Sequence, residues 1–149
     1  MHPVLENIKS VLNKEELAVE DRLEEVCKLL QDHNKHYDWV GFYFSDPEKR
    51  ELHLGPFVGE ATNHTVIPFG KGICGQVAES DKNFVVPDVE VQENYIACSI
   101  DVRSEIVVPL FIKGKNVGQI DIDSNTPNAF GEADERLLEM VNAEVAKIL

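Results

Sequence analysis

Residues 106–123 carry the sequence IVVPLFIKGKNVGQIDID, which predicts two strands joined by a tight turn. The run 106–112 is almost continuously apolar, as in a strand that is covered on both faces of its sheet. Residues 113–116 combine lysine, glycine and asparagine, which is typical of a hairpin turn. Residues 117–123 then alternate between polar and apolar side chains, as in a strand with two different faces.

This alternation separates two carboxylates from the apolar side of the second strand. Gln119, Asp121 and Asp123 share one face, whereas Ile120 and Ile122 share the other. If helices cover the isoleucine face, the carboxylates point to the opposite face. A pocket there would raise the pKa of at least one acid and create a proton donor or an ammonium-binding site. A solvated polar face is the simpler alternative.

The segments around this hairpin predict further strands and helices. The fold class expected is α+β, with a central antiparallel sheet of about six strands, N- and C-terminal helices on one face and a ligand pocket on the other. A glycine-rich start at residues 70–75 precedes a short helix to residue 78. The other predicted strands are 39–44, 51–57, 65–68 and 84–86.

Apolar stripes at helical spacing occupy both ends of the chain. We expect a single domain over 1–149, with N-terminal helices in 1–34, the sheet and pocket loops in 38–124 and a C-terminal helix in 132–149. The stripe at the C-terminus also permits a homodimer. The stripes consist of Leu5, Ile8 and Leu12; of Leu17, Leu23, Val26, Cys27 and Leu30; and of Leu137, Leu138, Val141, Val145 and Ile148.

Composition excludes several classes of partner. The chain has 149 residues with 14 basic and 27 acidic side chains, a net charge of −13. Nucleic acid and anionic lipid repel such a surface, so neither is an expected partner. An apolar content of 43 % argues against disorder. The sequence shows no membrane span and no signal-peptide pattern, and we therefore expect a cytoplasmic protein.

The three cysteines differ in their surroundings. An odd, sparse set predicts reduced thiols rather than a disulfide framework. Cys27 lies on an apolar helix stripe and is interpreted as a core residue. Cys74 sits between glycines, where the thiol can be exposed, and Cys98 lies in no obvious periodic element. Glu105 begins the apolar run, and a carboxylate at the start of a strand is more often exposed than catalytic.

No metal-binding or nucleotide-binding motif is present in the sequence. There is no CxxC pair, no HExxH and no GxSxG, and residues 70–72 lack the ending of a phosphate-binding loop. We therefore predict no metal site.

Seven segments together resemble the free methionine-(R)-sulfoxide reductases, a branch of the GAF-domain family. The resemblance runs from about residue 38 to the C-terminus. It implies a sheet with helices on one face and a ligand pocket on the other. The segments are 38–43 (DWVGFY), 54–57 (LGPF), 67–75 (IPFGKGICG), 86–89 (VPDV), 95–98 (YIAC), 104–110 (SEIVVPL) and 118–124 (GQIDIDS).

The resemblance implies roles for individual residues. Cys98 matches the family's catalytic thiol, and Cys74 matches another of its cysteines. The matching acids, which would bind the substrate amine and assist the sulfoxide oxygen, are Glu105, Asp121 and Asp123. The matching aromatic residues near the pocket, which would bind substrate, are Trp39 and Tyr43.

Two positions depart from the family pattern. The usual recycling cysteine, ten residues before the glycine-flanked one, is here His64. The residue after the catalytic position is commonly aspartate and is here Ser99. The substitution at His64 leaves open whether turnover is lost or is routed through Cys74.

The implied function is reduction of free L-methionine (R)-sulfoxide to methionine. Cys98 would attack the sulfoxide and become a sulfenic acid, and Cys74 could condense with it to form a disulfide. An external dithiol, such as a thioredoxin-like protein, would then reduce the disulfide, and no tightly bound cofactor is expected. The alternative is a non-catalytic GAF module that keeps the pocket and senses a small molecule, which the substitution at His64 motivates.

Overall fold

A six-stranded antiparallel sheet forms the centre of the molecule, with the strand order β3-β2-β1-β6-β5-β4. The computed structural model describes residues 3–92 and 101–149. Within these ranges no helix is both long and apolar enough to cross a membrane. The elements are α1 (Pro3–Leu12), α2 (Val19–His33), β1 (Trp39–Asp46), β2 (Glu51–Val58), β3 (Val66–Pro68), α3 (Gly72–Ser80), β4 (Phe84–Val86), a 3₁₀ helix (Val89–Val91), β5 (Ser104–Ile112), β6 (Lys115–Ser124) and α4 (Glu132–Ala146).

The hairpin that the sequence predicts is confirmed as β5 and β6. The strands pair antiparallel and are joined by Lys113 and Gly114. Both residues have positive φ angles, 52° and 78°. Such left-handed conformations twist a two-residue turn to match the twist of its strands, and glycine adopts them without steric cost.

The alternation along β6 divides the structure into two apolar layers. Ile120 and Ile122 are fully buried in the larger cluster, which contains the apolar faces of α1, α2 and α4. The smaller cluster lies on the opposite face and includes Ile73, Cys74 and Val77 from α3. The expected placement of the terminal helices on one face, with the predicted pocket on the other, follows from this division.

Asn142 holds α4 against β5 by polar contacts inside the core. Its Nδ2 donates hydrogen bonds to the carbonyl oxygens of Val108, at 3.1 Å, and Pro109, at 3.0 Å. The short strand β4 pairs only with the first part of β5, from Glu105 to Val107. Asn142 therefore provides donors just beyond the end of this pairing, where buried carbonyl oxygens require partners.

Leu17 was predicted as part of the second helical stripe, and this prediction is wrong. The helix α2 begins at Val19, and Leu17 lies half-buried in the preceding turn. Arg22 explains the break: its side chain donates hydrogen bonds to the carbonyl oxygens of Leu17, at 3.0 Å, and Leu12, at 3.2 Å. These bonds satisfy carbonyl groups at and after the end of α1, which a continuous helix would have satisfied itself.

Replacing Leu138 by alanine is expected to destabilise the fold strongly. Leu138 is fully buried on the inner face of α4, and removing such a side chain costs about 2–5 kcal/mol in free energy of unfolding. Urea denaturation followed by circular dichroism measures this change. Met140→Ala is the matched control on the same helix, since Met140 is 38 % exposed; an equal loss in both variants would contradict the assigned packing.

Candidate active site

The pocket face of the sheet brings the predicted acids together through strand register. Asp123 of β6 pairs with Trp39 of β1 on one side and with Glu105 of β5 on the other. One pleat further along, Asp121 pairs with Gly41 of β1. Glu105, Asp121 and Asp123 are all buried, with exposures of 4 %, 1 % and 1 %. Of the two alternatives for this face, a pocket and a solvated surface, this burial excludes the solvated surface.

Glu105 is buried, as the family resemblance implies, although a carboxylate at the start of a strand is more often exposed. Glu105 pairs with Val86 of β4 on one side and with Asp123 of β6 on the other. Its side chain lies on the face of the sheet that α3 covers, and this helix shields it from solvent.

Cys74 lies in the first turn of α3, directly over these acids. Its Sγ lies 3.9 Å from Glu105 Oε2, within reach of a thiol hydrogen bond. The Cys74 Sγ and one carboxylate oxygen each of Glu105 and Asp121 all lie within 4.8 Å of one another. The flanking glycines, which could have left the thiol exposed, instead allow close packing, and Cys74 is 5 % exposed.

The glycines around Cys74 allow this close approach. Gly70 and Gly72 have φ angles of +88° and +63°, which favour glycine. A Cβ at Gly75 would lie 2.6 Å from the Pro68 carbonyl oxygen and 3.0 Å from the Gly70 nitrogen. Gly75 therefore lets the start of α3 pack directly on the backbone of the preceding loop, and this fixes the position of Cys74.

Gln119 is a site residue that was not among the predicted catalytic or binding residues. It is fully buried on the acidic face of β6, and its Nε2 donates a hydrogen bond of 3.1 Å to the Cys74 carbonyl oxygen. This bond ties α3 to the floor of the sheet. The alternation placed Gln119 on the same face as Asp121 and Asp123, which is the signal that could have identified it.

Burial raises the pKa of Asp121. Hydrogen bonds with Glu105 and with Cys74 offset part of this effect. Two carboxyl groups that share a hydrogen bond need at least one proton between them, so the pair retains a proton at a higher pH than solvated carboxylates do. Such a pair is suited to donate a proton.

Aromatic side chains form one wall of the acidic face. Trp39 stacks on Phe57 with ring centroids 5.4 Å apart and lies 6.4 Å from the ring of Tyr43. The Trp39 Nε1 donates to the Glu60 carbonyl oxygen at 3.0 Å. A Cβ at Gly41 would lie only 2.4 Å from the Trp39 ring. Glycine at this position is therefore what allows the indole to lie across β1.

A small cavity connects Cys74 with His64, the residue at the usual recycling-cysteine position. The Tyr43 hydroxyl donates a hydrogen bond of 2.9 Å to the His64 carbonyl oxygen, so the aromatic wall holds this loop. Cys98, predicted as the nucleophile, lies in 93–100, outside the described residues. The cavity is lined by His64, Ile67, Lys71, Gly72, Ile73, Cys74 and Glu105.

Cys27 lies apart from this site, in the larger apolar cluster on the helix face. It is fully buried, and this burial raises the pKa of its thiol far above the usual range. The prediction that Cys27 is a core residue is confirmed.

Comparison with known proteins identifies the family. A family model described as GAF domain matches residues 16–149. A free methionine-(R)-sulfoxide reductase of Escherichia coli is 35 % identical over 127 residues, which cover 85 % of this chain and 75 % of the relative. The chain therefore belongs to the GAF-domain family, in its branch of free methionine-(R)-sulfoxide reductases.

Solved structures agree with this assignment. The free methionine-(R)-sulfoxide reductase of Neisseria meningitidis, in complex with its substrate, superimposes with a TM-score of 0.91 at 39 % identity. The match covers 97 % of this chain and 85 % of the Neisseria chain. A type II free methionine-(R)-sulfoxide reductase of Thermoplasma acidophilum superimposes with a TM-score of 0.83 at 33 % identity. This match covers 95 % of this chain and 94 % of the Thermoplasma chain.

Proposed function

We propose that this chain reduces free L-methionine (R)-sulfoxide to free methionine. The observation that carries the proposal is the buried cluster of a thiol and two acids, Cys74, Glu105 and Asp121, beside an aromatic wall. The relatives with this fold that are named as free methionine-(R)-sulfoxide reductases support the assignment. The chemistry of the cluster suits a sulfoxide that carries its own ammonium group.

The charge of the site favours a free amino acid. The ammonium group of the substrate requires negative partners in a buried site, and Glu105, Asp121 and Asp123 supply carboxyl groups there. A methionine sulfoxide residue within a peptide has no such ammonium group. Trp39 and Tyr43 provide ring surface for the side chain, since sulfur packs favourably against aromatic rings.

In the first chemical step, Cys98 acts as the nucleophile. Its sulfur gives two electrons to the sulfoxide sulfur, the S–O bond of the substrate breaks, and oxygen is left on Cys98 as a sulfenic acid. The carboxyl pair of Glu105 and Asp121 supplies a proton to the departing oxygen and regains one from the attacking thiol. Methionine is released with no net consumption of protons.

In the second step, the Cys74 thiol condenses with the Cys98 sulfenic acid. An S–S bond forms, and the oxygen leaves as water with the thiol and sulfenic acid protons. A dithiol, such as a thioredoxin-like protein, then reduces the disulfide and restores both thiols. The cycle thus converts one sulfoxide and one dithiol into methionine, a disulfide and water.

Multiple turnover with dithiothreitol tests the proposed activity. Wild-type protein is incubated separately with the free (R)-sulfoxide, the free (S)-sulfoxide and N-acetylmethionine sulfoxide, and methionine or N-acetylmethionine is quantified. We expect product from the free (R)-sulfoxide and little from the other two. A binding-only GAF module would instead show a raised melting temperature with the sulfoxide and no methionine, and this result would overturn the proposal.

Replacing Cys74 by serine is expected to block multiple turnover while sparing the first chemical step. The variant still forms the Cys98 sulfenic acid, but the serine at position 74 cannot condense with this group. Rapid quenching should therefore detect a burst of about one methionine per chain, followed by slow formation of further methionine. Cys27→Ser, a thiol loss outside the site, is expected to turn over as the wild type does. Normal steady-state turnover by Cys74→Ser would show that another reductant attacks the sulfenic acid directly.

A further inference from the structure

We propose that the buried cluster Cys74, Glu105 and Asp121 also binds a thiophilic divalent cation, with Zn²⁺ as the physiological candidate, and that the bound cation excludes the substrate. This inference concerns a second ligand of the same pocket and does not depend on turnover. The sequence contains no metal-binding motif because the three residues come from α3, β5 and β6, and only the fold brings them together.

The spacing of the three side chains fits tetrahedral coordination. Zn–S and Zn–O bonds of about 2.3 and 2.1 Å at a tetrahedral angle place sulfur and oxygen roughly 3.6 Å apart. The observed distance between Cys74 Sγ and Glu105 Oε2 is 3.9 Å, so for this pair a shift of a few tenths of an ångström suffices. The Asp121 oxygen lies within 4.8 Å of both atoms. Three protein ligands leave the fourth position for water or another ligand.

Buried oxygen atoms that lack a hydrogen-bond partner support a cationic ligand independently of this spacing. Asp121 Oδ1 and Gln119 Oε1 are buried and have no hydrogen-bond partner within the ranges 3–92 and 101–149. Both residues lie on the same face of β6, and their exposures are 1 % and 0 %. Buried acceptors in native proteins are nearly always paired, and a cation at the cluster would pair with the Asp121 oxygen.

The cluster is also rigid enough to act as a preformed site. Glu105 and Asp121 lie on the central strands β5 and β6, and Gln119 fixes the Cys74 backbone through its 3.1 Å hydrogen bond. A metal site held by regular elements loses little free energy to reorganisation on binding. Cys74 favours thiophilic ions such as Zn²⁺ and Cd²⁺ over Mg²⁺, which prefers oxygen ligands.

Occupancy by a cation would conflict with the proposed function in two ways. The metal would engage the carboxylates that are proposed to receive the substrate ammonium, so metal and substrate would compete. It would also hold the Cys74 sulfur as a thiolate ligand, which cannot then condense with a sulfenic acid. The site would therefore act as an inhibitory metal site rather than as a catalytic one.

Binding of Cd²⁺ to reduced, metal-free protein tests the proposal directly. A thiolate–Cd²⁺ bond produces a charge-transfer band in the ultraviolet, and we expect it to saturate at one Cd²⁺ per chain. Cys74→Ser should remove the charge-transfer band, and Glu105→Gln should weaken the apparent affinity for Cd²⁺ about tenfold or more. Cys27→Ser should leave both the band and the affinity unchanged. Absence of the band in the wild type, or its persistence in Cys74→Ser, would overturn the site.

Competition with the substrate tests the second part of the proposal. The Cys98→Ser variant is used because the free sulfoxide should not be consumed, and alanine at the same concentration controls for chelation of Cd²⁺ in solution. We expect saturating sulfoxide to reduce apparent Cd²⁺ affinity about tenfold or more relative to alanine. Equal affinity would overturn the exclusion. A Cd²⁺ band in a protein without reductase activity would overturn the proposed function alone.

Discussion

Replacing Cys98 by serine is expected to abolish methionine formation from the free sulfoxide. A serine hydroxyl cannot take up the sulfoxide oxygen by a two-electron oxidation of the side chain, so the residue at position 98 can no longer act as the nucleophile. We expect the rate with dithiothreitol to fall by roughly 10³-fold or more, as is seen when an enzyme loses its nucleophile. Quantification of methionine by chromatography measures the loss.

Two controls make this result specific. Cys27→Ser removes a thiol from the helix-side core and should retain the activity per folded molecule. Binding of the free sulfoxide to Cys98→Ser, followed as a rise in melting temperature, should be retained because the acids and aromatic residues are unchanged. Activity of Cys98→Ser close to that of the wild type would refute the proposed nucleophile.

Replacing Asp121 by asparagine is expected to give the second largest loss of activity. Burial raises the pKa of Asp121, so the Asp121–Glu105 pair can hold a proton where a solvated carboxyl could not. Asparagine keeps the size of the side chain but cannot transfer a proton. Loss of a general acid typically lowers the rate by roughly 10²–10⁴-fold, and we expect the larger part of this loss in kcat.

Steady-state kinetics on the free (R)-sulfoxide measure this effect. The matched control is Glu6→Gln, which removes one negative charge from an exposed position of α1 and should leave kcat and KM unchanged. The melting temperature of Asp121→Asn should not fall, since a neutral amide avoids the desolvation of a buried acid. A kcat equal to that of the wild type would show that Asp121 does not donate the proton.

The strands of the sheet could be predicted from the sequence because each strand carries its own local pattern. The alternation in residues 117–123 placed Asp121 and Asp123 on one face and the isoleucines on the other, and the structure confirms it. The turn at Lys113 and Gly114 was equally local. Leu17 was wrongly assigned to a helix because its spacing fits the apolar stripe of α2. Hydrogen bonds from Arg22 instead hold Leu17 in the turn before that helix.

The candidate site depended on contacts between segments that are distant in sequence. Burial of Glu105 required α3 to lie over it, and burial of Cys74 required Gly75 to pack on the loop before α3. Gln119 is held by a contact with a residue 45 positions away. No local pattern encodes such contacts, so the approach of the thiol to the acids could be suggested only by family resemblance.

A single-turnover experiment tests the central claim most directly. Reduced wild-type protein, freed of reductant, is mixed with excess free methionine (R)-sulfoxide, and methionine and the intact mass of the chain are measured together. The account predicts one methionine per chain and a chain that has lost two hydrogen atoms, with peptide mapping locating a disulfide between Cys74 and Cys98. A chain of unchanged mass and no methionine would contradict it.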